Sequence, residues 1–260
     1  MNRLPPLPLP RARGAGKARF FAAVGLMVAL VAFLARRFDL VDTGTLVVSV
    51  ALAVLCALVA LLCVGLTIAD IWREGRRSSG TLIGTLFLVL LTLAPPLAAI
   101  AASAYFPALD DVSTDRTVPP ELPPAIAPRA VPGEMLAPAD QRAALQTESY
   151  PDIVPQLIDV PVVEAYALAR TAAGELGWKT VGHFEPASET ASGHLTLAGH
   201  SAIMGTPLVI AIRVQPGGDG TRLDIRSASR DGLPDLGENA RAIRAFLGTF
   251  RDVEKRPASG

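Results

Sequence analysis

The chain carries little of what redox or metal chemistry needs. Among its 260 residues there are two cysteines and three histidines. Both cysteines, Cys56 and Cys63, fall in one apolar run, and at about 1.5 Å per residue they stand about 10 Å apart along a helix, too far for a disulfide. A disulfide scaffold is excluded, and the rest of the chain must hold itself together by its core. His183, His194 and His200 have no metal-ligand spacing with a cysteine or carboxylate, so no metal is expected. No glycine-rich loop opens a helix after a strand and no nucleophile elbow surrounds Ser227 or Ser229, so no cofactor is expected either. Aromatic residues make up 5% of the chain, and 24 basic residues balance 24 acidic ones. Without a basic stretch interleaved with aromatics, nucleic acid is not a predicted partner.

What the chain has in excess is apolar sequence, and it lies early. Three runs stand out, Phe20 to Ala35, Thr45 to Ala69 and Thr81 to Ala104. A bilayer core takes about 20 apolar residues in a helix, so the second and third runs span outright. Arg19 and the Arg36-Arg37 pair, by snorkelling, extend the slightly short first run. The predicted organisation is a basic, proline-rich cytoplasmic leader over 1–19 and a transmembrane region over 20–104. Arg3, Arg11, Arg13, Lys17 and Arg19 precede the first span, and Arg73, Arg76 and Arg77 separate the second from the third. The positive-inside rule puts both segments in the cytoplasm, against the weaker pull of Arg36 and Arg37. Everything after Ala104 is then expected on the far side of an inner (plasma) membrane, periplasmic or extracellular. No small-x-small site closes the first run, so the anchor is expected to stay attached. Pro95-Pro96 removes two backbone donors from the third span and predicts a kink.

Prolines crowd the chain between Pro107 and Pro138, with Pro119-Pro120 and Pro123-Pro124 as pairs, and predict an extended, semi-rigid strap over 105–149. From Tyr150 to about residue 255 the pattern is that of a small α+β domain. Val162, Val163, Tyr166, Ala167, Arg170 and Ala173 fall at helical spacing, with Pro161 suited to the first turn and Gly177 to the stop. Four strands follow, at 178–184, 194–201, 208–215 and 221–229, with Pro216 to Gly220 as a hairpin loop. The last helix is predicted to start at Asp235 as cap, with Glu238 completing a capping box. Leu236, Ala240, Ile243, Leu247 and Phe250 form its apolar stripe. The expected fold is a four-stranded antiparallel meander with two helices on one face.

The segment Asp224-x-Arg226-Ser227-x-Ser229-Arg230-x-Gly232-x-x-Asp235-x-Gly237-x-Asn239-x-Arg241-x-x-Arg244-x-Phe246 resembles the signature of the domain of unknown function 1499 family. Asp111-Val112-Ser113-Thr114-Asp115, Tyr150-Pro151 and Gly177-Trp178-Lys179 match in the same order. The resemblance implies that the proline-rich strap belongs to the domain, and it implies no activity, since the family has no assigned biochemistry. The motif positions it singles out are Asp115, Trp178, Ser227, Ser229, Gly232, Asp235, Gly237, Asn239, Arg241 and Arg244. Members often carry an acidic pair leading into the strand that ends at Arg213; this chain has Leu208-Val209 there.

Strand alternation supplies a candidate ligand-binding face. With Leu208, Ile210, Ile212, Leu223 and Ile225 turned to the core, the opposite face gathers Arg213, Asp224, Arg226, Arg230, His194, Thr196 and His200. These groups suit a phosphate, a carboxylate or an acidic polymer, because guanidinium forks match such anions. The same row also reads as a solvated face on which Asp224 pairs with its arginine neighbours. Three functions stay open at this point: a non-enzymatic binding or assembly module of the cell envelope, whose partners are other envelope proteins or an anionic component; an envelope enzyme acting on an anionic lipid or polymer; and an accessory subunit of a transporter.

Overall fold

The computed structural model describes residues 14–38, 40–74, 79–128, 136–202, 205–218 and 220–256. The basic leader before Gly14 and the Arg76-Arg77 connection lie outside them. The chain divides into two compact units, Met1–Ala101 and Ala102–Gly260.

The first unit consists of three helices, α1 (Ala15–Arg37), α2 (Thr43–Glu74) and α3 (Ser79–Ser103). All three are long and apolar enough to cross a membrane. The first, expected to be short, has 23 residues, about 35 Å of helix against a hydrocarbon core of about 30 Å. Small residues let α1 and α2 approach closely: Ala18, Ala22 and Gly25 lie against Ala53, Ala57 and Ala60. A β-carbon added to Gly25 would come within 3.0 Å of the Ala53 carbonyl oxygen, so the glycine sets that distance. Leu82 and Val89 of α3 complete the two apolar clusters. Large side chains such as Phe33, Leu62 and Phe87 point outward, as a lipid-facing surface requires. The hydroxyls of Thr67, Thr85 and Thr92 donate to carbonyls one turn back, so these buried polar groups cost little in an apolar setting. The helix α3 continues through Pro95-Pro96.

The second unit is α+β. Its sheet holds six antiparallel strands: β1 (Asp111–Ser113), β2 (Gln156–Ile158), β3 (Lys179–Phe184), β4 (Gly193–His200), β5 (Pro207–Gly217) and β6 (Gly220–Ser229). The order is β1-β6-β5-β4-β3, with β2 also pairing to β6. Strands β3 to β6 are the expected meander. The two short additions, β1 and β2, continue the sheet beyond β6; three residues each are too few for periodicity to mark them. The helices α5 (Val162–Glu175) and α6 (Glu238–Glu254) cover one face. There Leu195, Leu197, Leu208, Ile210, Ile212, Leu223 and Ile225 meet Ile243, Phe246 and Phe250.

Three sequence expectations are corrected. The buried side of α5 is Val162, Ala165, Tyr166, Ala169, Ala172 and Ala173, while Val163, Ala167 and Arg170 face outward; alanines let this helix sit close to the sheet. The segment read as strap contains a further helix, α4 (Ala139–Ser149). Its Gln146 is buried, accepting from the Ser113 N–H and donating to the Ser113 carbonyl, so a side-chain amide satisfies the free edge of β1. Finally, α6 starts at Glu238 and not at Asp235, because Gly237 takes a left-handed backbone (φ 78°) immediately before it. Leu236 precedes the helix, also at positive φ (50°).

Candidate functional site

The face of the sheet away from α5 and α6 carries the predicted charged row, and the chain itself covers much of it. In β5 and β6 the outward positions pair Ala211 with Arg226, Arg213 with Asp224 and Gln215 with Arg222. Residues 114–120 cross this row. Asp115 leads the crossing: its Oδ1 accepts the N–H groups of Thr117 and Val118 at 3.0 Å each. Its Oδ2 accepts from Arg213 Nη2 at 3.0 Å and Arg222 Nη2 at 2.6 Å. Beneath it Asp224 is fully buried and accepts from Arg213 Nη2 at 2.8 Å and Arg222 Nε at 3.0 Å. Arg226 donates to both oxygens of Asp111 and to the Pro120 carbonyl, the latter at 3.1 Å. Three carboxylates thus meet three guanidiniums, and Arg213, whose side chain is only 12% exposed, turns its Nη2 to Asp115, Asp224 and the Val118 carbonyl.

Electrostatics follow from this geometry. Burial pushes the Asp115 carboxyl up, but the Val118 and Thr117 N–H groups, with Arg222 and Arg213, outweigh it and hold the carboxyl below its usual range. Arg222 is held charged more firmly than usual by its bond to Asp224, with Asp115 adding to it against burial. Partial desolvation and the nearby Arg213 push the His194 imidazole down, opposed by Glu121.

The remaining predicted face residues lie at the margin of the row. His194 pairs in register with Arg213 and is exposed, Thr196 pairs with Ala211, and His200 ends β4 opposite Pro207. Arg230 falls just past the end of β6, exposed, with its N–H bonded to the Pro207 carbonyl. Leu208 and Val209, standing where an acidic pair was a family expectation, are both buried. Sequence reasoning passed over Arg222, although alternation two residues back from Asp224 marks its side. It also passed over Arg116, whose Nη1 donates to the Ile153 carbonyl at 3.1 Å.

The other motif residues build a joint between the sheet and α6. Asn239 is fully buried at its centre: its Oδ1 accepts from the Ser227 hydroxyl at 2.7 Å, and its Nδ2 donates to the Asp110 carbonyl at 2.9 Å and to Ser229 Oγ at 3.2 Å. Asp235 caps the helix from outside it, Oδ1 accepting the Gly237 N–H at 2.9 Å and Oδ2 the Asn239 N–H at 2.6 Å. Burial pushes its carboxyl above the ordinary value of 3.8, against those bonds. Gly232 turns the chain at φ 67°. Arg241 donates to the Leu236 carbonyl and lies over the Phe106 ring, while Arg244 grips Asp152 with two bonds of 2.7 Å and lies over Tyr150. Trp178 stacks on Phe246 with centroids 5.9 Å apart. A signature dense in polar residues is therefore largely a description of how this unit is pinned together.

Two open clefts flank the row. One, of about 410 Å³, lies between residues 114–118, Pro155 and Arg222. The other, of about 450 Å³, lies between the start of α5 and the β5–β6 turn. Among the described residues no cluster of His, Cys, Asp and Glu has the arrangement of a metal site.

No curated protein matches the chain. A family model does match, over residues 111–250, from β1 to the last turns of α6. With more than half of its length so matched, the chain belongs to the family described as a protein of unknown function, DUF1499.

Proposed function

We propose that the protein is a membrane-anchored recognition module of the cell envelope, working by binding and assembly and not by catalysis. The observation that carries this reading is the internal matching of the charged row: Arg213 and Arg222 to Asp115 and Asp224, and Arg226 to Asp111. A row so matched fixes residues 114–120 rigidly over the sheet, whereas an acid, base or nucleophile needs a group left poised for reaction. The clefts beside it are shallow and open, which suits a partner that extends beyond them.

The anchor supports a location. Basic residues before α1 and between α2 and α3 favour the cytoplasm for both segments by the positive-inside rule. Three crossings then carry the α+β unit to the periplasmic or extracellular side of the plasma membrane. Its partners there are other envelope proteins or an anionic envelope component.

The test is capture of the intact chain from membranes after cross-linking in place, with quantitative identification of what accompanies it. The reading predicts a reproducible companion in near-equal amount. Purification of the protein alone, together with turnover of an anionic envelope lipid or polymer by the pure protein, would refute it.

A further inference from the structure

We infer that the cleft between Arg116 and Arg222 binds a tetrahedral oxyanion of the phosphate class. The inference rests on the reading of the unit as a binding module and names what that module holds. It begins with charge. Asp115 and Asp224 together balance Arg213 and Arg222, and their oxygens already accept guanidinium and backbone donors. Arg116 has no carboxylate partner among the described residues, its one hydrogen bond going to the neutral Ile153 carbonyl. One guanidinium therefore lies unneutralised in a cleft of about 410 Å³ that Arg222 also lines.

Donor geometry selects the ligand class. The Nη1 of Arg116 is tied to Ile153 at 3.1 Å, which orients the group and leaves its Nε and Nη2 without acceptors among the described residues. Arg222 turns Nε and Nη2 to Asp224 and Asp115, and its Nη1 is likewise without an acceptor among the described residues. A planar carboxylate is best met by one intact fork. Here two separate guanidiniums line one cleft and each keeps N–H groups without acceptors among the described residues, a pairing that suits the several oxygens of a phosphate. The exposed Thr117 adds a hydroxyl, and Val118 and Pro155 add apolar wall. The openness of the cleft admits a phosphate that belongs to something larger. A lipid phosphodiester and a free phosphate share this chemistry.

The experiment uses the purified full chain in a neutral detergent, titrated calorimetrically with inorganic phosphate and, separately, with the water-soluble diester glycerophosphoglycerol. The wild-type chain is expected to bind at least one of them, tighter binding of the diester pointing to a lipid source and of inorganic phosphate to a soluble one. Arg116→Ala should weaken binding by about tenfold or more, the effect of losing a charge-assisted bond. Arg116→Lys should recover it only in part, since it lacks the planar group. Arg170→Ala, at an exposed ion pair with Glu185, should leave affinity unchanged. Val118→Glu keeps the Arg116 bond to Ile153 and places a carboxylate on the exposed wall; it should abolish binding even if Arg116→Ala fails to fold. Absence of binding to both probes, or equal binding by wild type and Val118→Glu, would overturn the proposal. Those results would leave a captured partner standing, and a failed capture would leave phosphate binding standing, so the two readings fail separately.

Discussion

Replacing Asp224 with alanine tests whether the charged row holds the fold. The side chain is fully buried and receives Arg213 and Arg222 at 2.8 and 3.0 Å. Its loss leaves two guanidiniums facing the single carboxylate of Asp115. Breaking a buried pair by removing one partner costs about 3–5 kcal/mol. Arg222 is 31% exposed, and water reaching it lowers the cost toward the small end, about 3 kcal/mol. For a unit of this size that is a fall in Tm of about 6–12 °C. The assay is unfolding of the full chain in detergent, followed by tryptophan fluorescence in a Trp72→Phe background. Of the chain's two tryptophans, that leaves Trp178, stacked on Phe246 in the α+β core. Arg213→Ala and the double variant complete a cycle. Because each single change strands a charge that the double change removes, the double variant should lose less than the sum of the singles, by about 1–3 kcal/mol. A loss below about 0.5 kcal/mol for Asp224→Ala, or strict additivity, would refute the reasoning.

Asp235→Ala leaves two backbone N–H groups without acceptors and should cost about 1–2 kcal/mol; Asp235→Asn should restore only part, since the native carboxylate uses both oxygens. Asp115 and Asp235 should respond to pH in opposite senses. The lowered Asp115 value gives stability that is present above the unfolded value near 4 and lost as pH falls through the folded one, so Asp115→Asn should flatten the acid limb of a urea-unfolding series. The raised Asp235 value makes the folded state the better proton binder between 3.8 and its folded value, so stability is lost as pH rises through that interval. Asp235→Asn should remove that loss, and an unchanged profile would contradict it. Gly237→Ala meets the Phe106 ring at 2.6 Å from a left-handed backbone, and should cost about 1–3 kcal/mol by denaturant unfolding. Gly248→Ala, with open space in the middle of α6, should gain about 0.5–1 kcal/mol.

How far these features were legible in the sequence depended on their range. The meander strands show because Leu208, Ile210 and Ile212 alternate locally, and α6 shows because Ile243, Leu247 and Phe250 repeat at its period. The start of α6 shifted because Asp235 caps at a distance across Leu236 and Gly237, an arrangement that a fixed capping-box spacing does not anticipate. The helix α4 was hidden by the prolines that precede it. The covering of the sheet face was least visible: Arg213 meets Asp115 across 98 positions, and alternation reports which way a side chain points but not what lies on top of it. The same limit made the row look like an open anion site and left Arg116 unnoticed.

A role at the envelope depends most on α3 carrying the α+β unit across the membrane from a cytoplasmic segment between α2 and α3. A compartment-sensitive reporter inserted after Arg77 in the full chain, and another fused after Gly260, measures this directly. A cytoplasmic signal is expected from the first and an exported signal from the second. The same compartment for both would contradict it, because α3 would then fail to cross.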